Sequence, residues 1–316
     1  MTRAGLVIVV LGGTALVSVG CGGDGDAATA GGPKPLEKVA ITLDGRAGAQ
    51  SAGVLMAEEL GYFEDAGIEP WIGSPNAPSR PAAYVTNGID EIGLTQQPQL
   101  LIAQEKGMPL VAVGSAMPAP NLTLMWPKSS DVRRLADLKG RTIGIQGVPF
   151  QEAFLESILA RAGLSIDEVE VKRVGYELVP ALLSGKVDAI LGSLNLDRVE
   201  LYARGVELVV RTPESLGLPE FEALVVIARK DRLAEDPQLM HGFISALVRG
   251  TVAAREDPER AARVIFESGE ASRSLDLETI ETQLDATIPL LTNDGQTNQA
   301  REAELRSWMR KEGMFE

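Results

Sequence analysis

The stretch from Arg141 to Asp197 restricts the possible folds more than any other part of the sequence. Its pattern of apolar and polar residues predicts strand, tight turn, helix, strand, helix, strand and polar loop. The first strand, Thr142–Ile145, leads into a turn where Gly147 permits a sharp bend and Pro149 suits a first helical turn. Strands that alternate with helices usually pair in parallel, so we expect an α/β fold.

Polar residues follow two of the strands in this stretch. The turn after Ile145 aims the free N–H groups of a helix start beyond the strand, and Val187–Leu191 precedes the polar run Gly192–Asp197. Ligands of open α/β sheets bind at the carboxyl ends of the strands. Two strand ends therefore deliver polar groups to one crevice, although spacing alone is equally consistent with an ordinary βαβ unit that has solvated loops.

The chain contains two similar α/β units. A helix, Ala66-Gly67, a strand, a helix and Asn87-Gly88 precede a strand, and the same order recurs around Ala162-Gly163 and Ser184-Gly185. Two such units predict two lobes with a cleft between them, although αβ segments also look alike without being repeats. We expect residues 37–121 to form the first part of lobe 1 and residues 122–215 to form lobe 2. Residues 216–316 are expected to return to lobe 1 and add bracing helices.

The first residues predict a secretory signal. A short basic start precedes the apolar run Leu6–Val19, which is too short for a stable membrane span. Cys21 follows directly after Gly20 and resembles the lipidated cysteine of a bacterial lipobox; a plain secretory signal with an idle cysteine is the alternative. Because Cys21 is the only cysteine, no internal disulfide is possible. We expect a lipoprotein signal peptide at residues 1–20 and a flexible tether at residues 21–36.

Charge and residue types exclude several classes of function. The formal net charge of −14 argues against nucleic acid as a partner, since no basic cluster is present to neutralise phosphates. His241 is the only histidine, and no nucleophile is near it in sequence. The sequence has no cluster with metal-ligand spacing, no P-loop and no dinucleotide fingerprint, so we expect no metal and no cofactor. A crevice without catalytic groups favours binding over catalysis.

The candidate ligand-binding residues are polar or aromatic side chains predicted near strand ends. They are Asp44, Arg46, Gln50, Gln96, Gln97, Gln146, Phe150, Gln151, Tyr176, Asn195, Asp197 and Phe221. Amides and carboxylates suit a neutral or amine-bearing heterocycle, because a carboxylate accepts from an amine and an amide pairs with ring nitrogens. A sulfonate or nitrate site requires cations or several convergent N–H groups. The three aromatic residues are alternatively parts of the core.

Three motifs resemble those of a known family. The chain is similar in these segments to solute-binding proteins of ABC importers, in the group that serves alkanesulfonates and thiamine pyrimidine precursors. The segments are Ala57–Phe63 with Ala66-Gly67, Asp137–Gly140 before Thr142–Gly144, and Ala181–Ala189. The resemblance covers the chain from Lys38 to its last residue. It implies a two-lobed periplasmic-binding-protein fold of type II, with mixed or parallel sheets, flanking helices and a ligand cleft between the lobes.

Four shorter segments resemble the pyrimidine-precursor branch most closely. They are Gly147–Phe150, Val174–Tyr176, Asn195–Asp197 and Leu218–Phe221. In that branch an Asn-aromatic-Glu segment reaches the ligand, and Asp197 stands at the acidic position. The branch usually has Asp-Trp after the first strand, whereas Gly45 follows Asp44 here. The change removes a stacking face, so another aromatic residue replaces it or the ligand is larger or less aromatic.

The resemblance implies a function and a location. We expect a monomeric lipoprotein on the outer face of the bacterial cytoplasmic membrane, anchored through Cys21. It would capture a hydroxymethyl- or formylamino-pyrimidine by hinge closure near Ser115–Leu124 and Thr212–Phe221 and deliver it to an ABC permease. The same fold with riboflavin, an alkanesulfonate or nitrate is the first alternative. A pyrimidine-forming enzyme is the second, but enzymes of that kind depend on an active-site histidine and a cysteine-rich segment that this chain lacks.

Overall fold

The computed structural model describes residues 35–212 and 214–315. The expected signal peptide, Cys21 and the tether up to residue 34 lie outside these ranges. The described residues belong to one compact unit. Within them, no helix combines the length and the apolar character needed to cross a membrane.

In the part of the chain that the structure describes, ten strands form two five-stranded sheets. Sheet 1 has the order β2-β1-β3-β10-β4, and sheet 2 has the order β7-β6-β8-β5-β9. The strands are β1 (Glu37–Thr42), β2 (Ile68–Gly73), β3 (Ile92–Thr95), β4 (Leu110–Met117), β5 (Leu122–Pro127), β6 (Thr142–Ile145), β7 (Glu170–Arg173), β8 (Ala189–Ser193), β9 (Leu208–Arg211) and β10 (Leu224–Arg229). In each sheet a first set of strands is parallel, and one long strand, β10 or β5, runs antiparallel to two neighbours.

Helices cover the sheets. The α-helices are α1 (Ala52–Glu59), α2 (Tyr62–Asp65), α3 (Arg80–Thr86), α4 (Gln97–Glu105), α5 (Pro149–Arg161), α6 (Leu178–Leu183), α7 (Asp197–Ala203), α8 (Lys230–Glu235), α9 (Pro237–Glu256), α10 (Pro258–Glu267), α11 (Leu277–Thr287) and α12 (Gln299–Lys311). Short 3₁₀ segments lie at Ala49–Ser51, Leu135–Leu138, Ile166–Glu168, Ala271–Arg273 and Ile288–Leu290. The predicted α/β fold with two mixed sheets is confirmed.

The ends of the longer helices follow from local sequence. Asp236 and Asp257 cap α9 and α10 through side-chain carboxylates that accept backbone N–H groups, and each is followed by a proline at the first helical position. Helix α9 packs closely on α1 because both carry a glycine at the crossing. A Cβ on Gly250 would lie 2.7 Å from the backbone nitrogen of Ala57, so the two helices approach as near as their backbones allow.

The chain passes from sheet 1 to sheet 2 between β4 and β5 and returns between β9 and β10. The last helix of the C-terminal region packs beside sheet 2. Leu305 and Met309 of α12 join the apolar cluster around Phe154, a residue of α5 beside sheet 2. The ring of Trp308 meets the ring of Phe154 edge to face, with centroids 5.0 Å apart. The apolar face of α12 is thus buried against helices of both sheets.

Candidate ligand-binding site

A cavity of about 170 Å³ lies between the two sheets. Its wall is built from the segments that follow β1, β3, β6 and β8, from Tyr176 after β7, and from the two crossings and residues 270–283. These four strands are parallel within their sheets, so the cavity lies at the edge where parallel strands end.

Eight of the twelve residues predicted from the sequence line this cavity. They are Asp44, Arg46, Gln50, Gln96, Gln146, Gln151, Tyr176 and Asp197. The first four come from segments of sheet 1, and the other four come from segments of sheet 2. Both lobes therefore contribute polar side chains to one enclosed space.

The structure places two of the predicted amides in the protein interior instead. Gln97 is buried, and its side-chain oxygen accepts the backbone N–H of Glu222 at 2.9 Å. Asn195 is also buried; it accepts from Asn121 at 2.9 Å and donates to the hydroxyl of Thr287 at 2.8 Å. The hydrogen bond of Gln97 joins α4 to the segment before β10, and those of Asn195 join the crossing at Asn121 to α11. Neither Gln97 nor Asn195 lines the cavity.

Two predicted aromatic residues lie in the core of lobe 2. Phe150 and Phe221 are fully buried, and both rings pack edge to face on Phe154, at centroid distances of 5.1 Å and 5.7 Å. Both residues are therefore parts of the core, which was the alternative that the sequence left open for the aromatic candidates. Their position follows from amphipathic packing: α5 turns its aromatic face toward sheet 2 and away from the cavity.

Asp44 is the carboxylate that lobe 1 brings to the cavity. Burial raises its pKa to about 7, and a hydrogen bond from the side chain of Gln96, at 3.4 Å, offsets part of that effect. Among the described residues no cation is paired with Asp44. A carboxyl group placed in this way gains a strong partner if a bound solute donates a hydrogen bond to it.

Asp197 is the carboxylate of lobe 2, at the start of α7. Burial raises its pKa, while hydrogen bonds from the backbone N–H and the hydroxyl of Ser193, at 2.6 Å and 2.7 Å, act in the opposite direction. Gly192 makes room for this arrangement, because a Cβ there would lie 2.8 Å from an oxygen of Asp197. The sequence Gly-Ser at the end of β8 thus fixes where the carboxylate sits.

The turn at Gln146-Gly147 uses its own backbone N–H groups in hydrogen bonds within the protein. Gly147 has a φ of 89°, and the backbone N–H groups of residues 146 and 147 both donate to the side-chain oxygen of Gln151, at 2.9 Å and 3.3 Å. Gln151 is itself buried one turn into α5. Two donors that an anion would need are therefore already occupied by a side chain of the same helix.

Arg46 is the one cation in the cavity wall as the described residues form it. Its guanidinium donates to the carboxylate of Glu177 at 2.8 Å and lies 5.5 Å from the ring centroid of Tyr176. Arg46 belongs to lobe 1, whereas Tyr176 and Glu177 precede α6 of lobe 2. The contact joins the lobes and neutralises the charge of Arg46.

The structure adds polar residues that the sequence analysis missed. Glu200 lines the cavity one turn after Asp197. Burial raises the pKa of its carboxyl group, and the guanidinium of Arg204, 2.8 Å away, lowers that pKa in part. Helical periodicity from Asp197 offered a signal for it. Glu270 also lines the cavity and accepts from the backbone N–H of Ala47 at 2.8 Å. No local pattern identifies Glu270, since its partner is 223 residues away.

Four carboxyl groups line the described part of the cavity: Asp44, Asp197, which accepts from Ser193, Glu200, which pairs with Arg204, and Glu270, which accepts from Ala47. Over the ranges that the structure describes, no group of three or more His, Cys, Asp or Glu residues is placed to hold a metal ion. His241 lies on α9 beside a separate groove with Ile244 and Gly295. The cavity therefore provides hydrogen-bond acceptors for a small organic solute.

Comparison with known proteins identifies the family. The sequence profile described as "NMT1/THI5 like" matches residues 48–261. The chain belongs to the NMT1/THI5-like family. The matched range includes β2 to β10 and most of the cavity residues, whereas β1, Asp44 and Arg46 precede it and Glu270 follows it. The resemblance drawn from the sequence motifs is therefore confirmed.

Relatives in and around the NMT1/THI5-like family include binders and enzymes. The formylaminopyrimidine-binding protein of Halalkalibacterium halodurans is 29% identical over 282 residues, which cover 89% of this chain and 85% of that protein. The 4-amino-5-hydroxymethyl-2-methylpyrimidine phosphate synthase of Schizosaccharomyces pombe is 27% identical over 215 residues, covering 65% and 62%.

A solved structure shows the same fold. The alkanesulfonate-binding protein SsuA of Xanthomonas axonopodis pv. citri, bound to MOPS, superposes with a TM-score of 0.72 at 17% identity, over 90% of this chain and 96% of that one. This likeness shows that the two proteins share a fold.

Proposed function

We propose that the protein binds an amine-bearing pyrimidine of the thiamine-precursor type and delivers it to an ABC permease. One observation carries the choice of solute. The cavity presents four carboxylates, while the cation and the turn N–H groups that an anion needs are occupied by Glu177 and Gln151. An exocyclic amine and a protonated ring nitrogen donate to carboxylates, so an aminopyrimidine matches the wall.

The relatives support the same solute class. The Halalkalibacterium protein is named for binding formylaminopyrimidine, and the yeast relative is named for making an aminopyrimidine phosphate. The sulfonate binder shares only the fold at 17% identity. A sulfonate carries a full negative charge, which the carboxylates of this cavity repel.

Binding by hinge closure is part of the proposal. The two crossings between the sheets are the connections about which a two-lobed binder would close, and we place the hinge near Ser115–Leu124 and Thr212–Phe221. Contacts of α12 and α11 with both lobes limit how far the lobes separate. Closure would bring Asp44 and Asp197 onto the solute from opposite sides.

A thermal-unfolding panel tests the solute class. The panel holds 4-amino-5-hydroxymethyl-2-methylpyrimidine, formylaminopyrimidine, riboflavin, MOPS and nitrate. A solute at one hundred times its dissociation constant stabilises the protein by about 2.7 kcal/mol, which raises the midpoint by several degrees. We expect this rise with the two aminopyrimidines only. A rise with MOPS or nitrate alone would contradict the proposal.

The enzyme alternative makes a different prediction. His241 does not line the cavity, and within residues 35–212 and 214–315 the hydroxyl of Ser193 in the wall meets the carboxylate of Asp197 but no imidazole. We therefore propose that the protein binds without converting its solute. Incubation followed by mass spectrometry of the recovered solute tests this, and any new pyrimidine product would refute it.

The extracytoplasmic location and the anchor rest on the sequence. We propose that residues 1–20 direct export and that Cys21 is lipidated, leaving the folded unit on a tether outside the membrane. Incorporation of labelled palmitate into the unchanged protein, and its loss together with release of the protein in Cys21→Ser, tests both. Labelling that persists in Cys21→Ser would contradict this assignment.

A further inference from the structure

Gly45 and Tyr176 share one space between the lobes. Gly45 is buried in the segment after β1, and a Cβ built there would lie 3.4 Å from Cε1 and 4.0 Å from Cζ of Tyr176. Tyr176 belongs to lobe 2, between β7 and α6. The tyrosine ring thus occupies the volume that a large side chain at position 45 would need. We call the space that lobe 1 leaves at this position the Gly45 notch.

The hydroxyl of Tyr176 is buried without a hydrogen-bond partner among the described residues. Burial raises the pKa of this phenol, and the nearby carboxylate of Asp44 raises it further, so the hydroxyl keeps its proton. An unpaired buried hydroxyl is unfavourable, and it lies in the wall of the cavity. We therefore expect the bound solute to provide the hydrogen-bond partner of this hydroxyl.

The other groups around this hydroxyl restrict what that partner is. Gln50 contributes a second buried oxygen without a partner, and Asp44 contributes a carboxylate. These two accept hydrogen bonds, whereas the phenol donates one. Of the residues that line the cavity in the described ranges, Tyr176 is also the one aromatic ring. It stands beneath the guanidinium of Arg46, which holds the ring across the junction of the lobes.

We propose that Tyr176, seated in the Gly45 notch, is a specificity-determining residue that donates its hydroxyl to an acceptor atom of the solute. This inference rests on the proposed function and deepens it. The solute must offer an acceptor, such as a ring nitrogen or a hydroxyl or formyl oxygen, beside the donors that meet the carboxylates. Since the ring comes from lobe 2 and the notch from lobe 1, this contact exists only when the lobes are together.

Binding of 4-amino-5-hydroxymethyl-2-methylpyrimidine, measured by calorimetry, tests the hydroxyl. Tyr176→Phe removes only the donor and keeps the ring, so we expect affinity to fall by about tenfold, the loss of one hydrogen bond. Tyr84→Phe is the matched control, because the hydroxyl of Tyr84 donates to Asn76 at 3.1 Å outside the cavity. Equal affinities of Tyr176→Phe and the unchanged protein would overturn the inference.

Thermal unfolding without solute tests the shared space. Gly45→Phe alone forces two rings into one volume and should lower the midpoint by several degrees. Combining it with Tyr176→Ala frees that volume, so the double variant should unfold above Gly45→Phe. Midpoint changes that simply add would overturn the shared space.

The two measurements separate this inference from the proposed function. If the unchanged protein binds no aminopyrimidine but the midpoints of the variants are non-additive, the proposed solute is wrong. The packing of Tyr176 in the Gly45 notch is then still supported. An unchanged protein that binds, with Tyr176→Phe binding equally well, retains the solute and removes Tyr176 from its recognition. If Gly45→Phe does not fold, Gly45→Val supplies the same comparison with a smaller side chain.

Discussion

Replacing Asp44 by asparagine should change how stability depends on pH. Burial raises the pKa of Asp44 from its ordinary value of 3.8 to about 7. Between these two values the folded protein holds a proton that the unfolded chain has lost. The stabilising effect of this proton is complete below about pH 4 and disappears as the pH rises to about 7. Asparagine resembles the protonated acid and does not titrate.

The size of the effect follows from the shift. A pKa shift corresponds to about 1.4 kcal/mol per unit, so Asp44 destabilises the solute-free protein above pH 7 by at most about 4 kcal/mol. Partial exposure to solvent reduces this figure, since Asp44 is half-buried. We expect Asp44→Asn and the unchanged protein to be equally stable at pH 4. Above pH 7 the variant should be the more stable of the two.

Urea unfolding at intervals from pH 4 to pH 8.5 measures this difference. Asp131→Asn serves as the control, because the side chain of Asp131 is 92% exposed. Gln96→Leu provides a second check: it removes the hydrogen bond that lowers the pKa of Asp44, so the pH-dependent range should extend upward. Parallel curves for Asp44→Asn and the unchanged protein, or a variant less stable at pH 8, would refute the reasoning.

Three further changes test other parts of the structure. Asp197→Ala should weaken binding of an aminopyrimidine by roughly 1.5–3 kcal/mol, the range for a charged hydrogen bond, and unchanged affinity in calorimetry would remove Asp197 from the site. Gly250→Ala should destabilise the protein by about 1–3 kcal/mol, because its Cβ would press on α1 2.7 Å from the nitrogen of Ala57; an unaltered urea midpoint would contradict this close packing. Phe154→Ala should cost about 3–5 kcal/mol, since three aromatic rings contact Phe154, and a loss below 1 kcal/mol would show that the cluster collapses around the gap.

The acidic cavity also has a consequence for the choice between solutes. Glu177 and Gln151 occupy the groups that would otherwise favour an anion. A protein of this fold binds MOPS, so the fold alone does not select the solute. We propose that selection in this chain depends on the few side chains that line the cavity.

Local pattern was sufficient for the secondary structure and for most of the cavity. The strand at Thr142–Ile145 has the bounds that the sequence pattern predicts, because the apolar period and the turn residues that end a strand act over a few residues. Asp44, Gln96 and Gln146 stand within two residues of a strand end and Asp197 follows β8 by four residues, and parallel strands bring their carboxyl ends to one edge. The sequence thus determined the fold class and the polar character of the site.

Tertiary structure alone decided which of these side chains face the cavity. Asn195 and Asp197 are two residues apart, yet Asn195 is buried among Asn121 and Thr287 while Asp197 lines the wall. Glu270 reaches the site through a partner 223 residues away, and Tyr176 of one lobe fills the space left by Gly45 of the other. Contacts between residues so distant in the chain have no local period, because they arise only when the packed lobes exclude water and bring separate segments together.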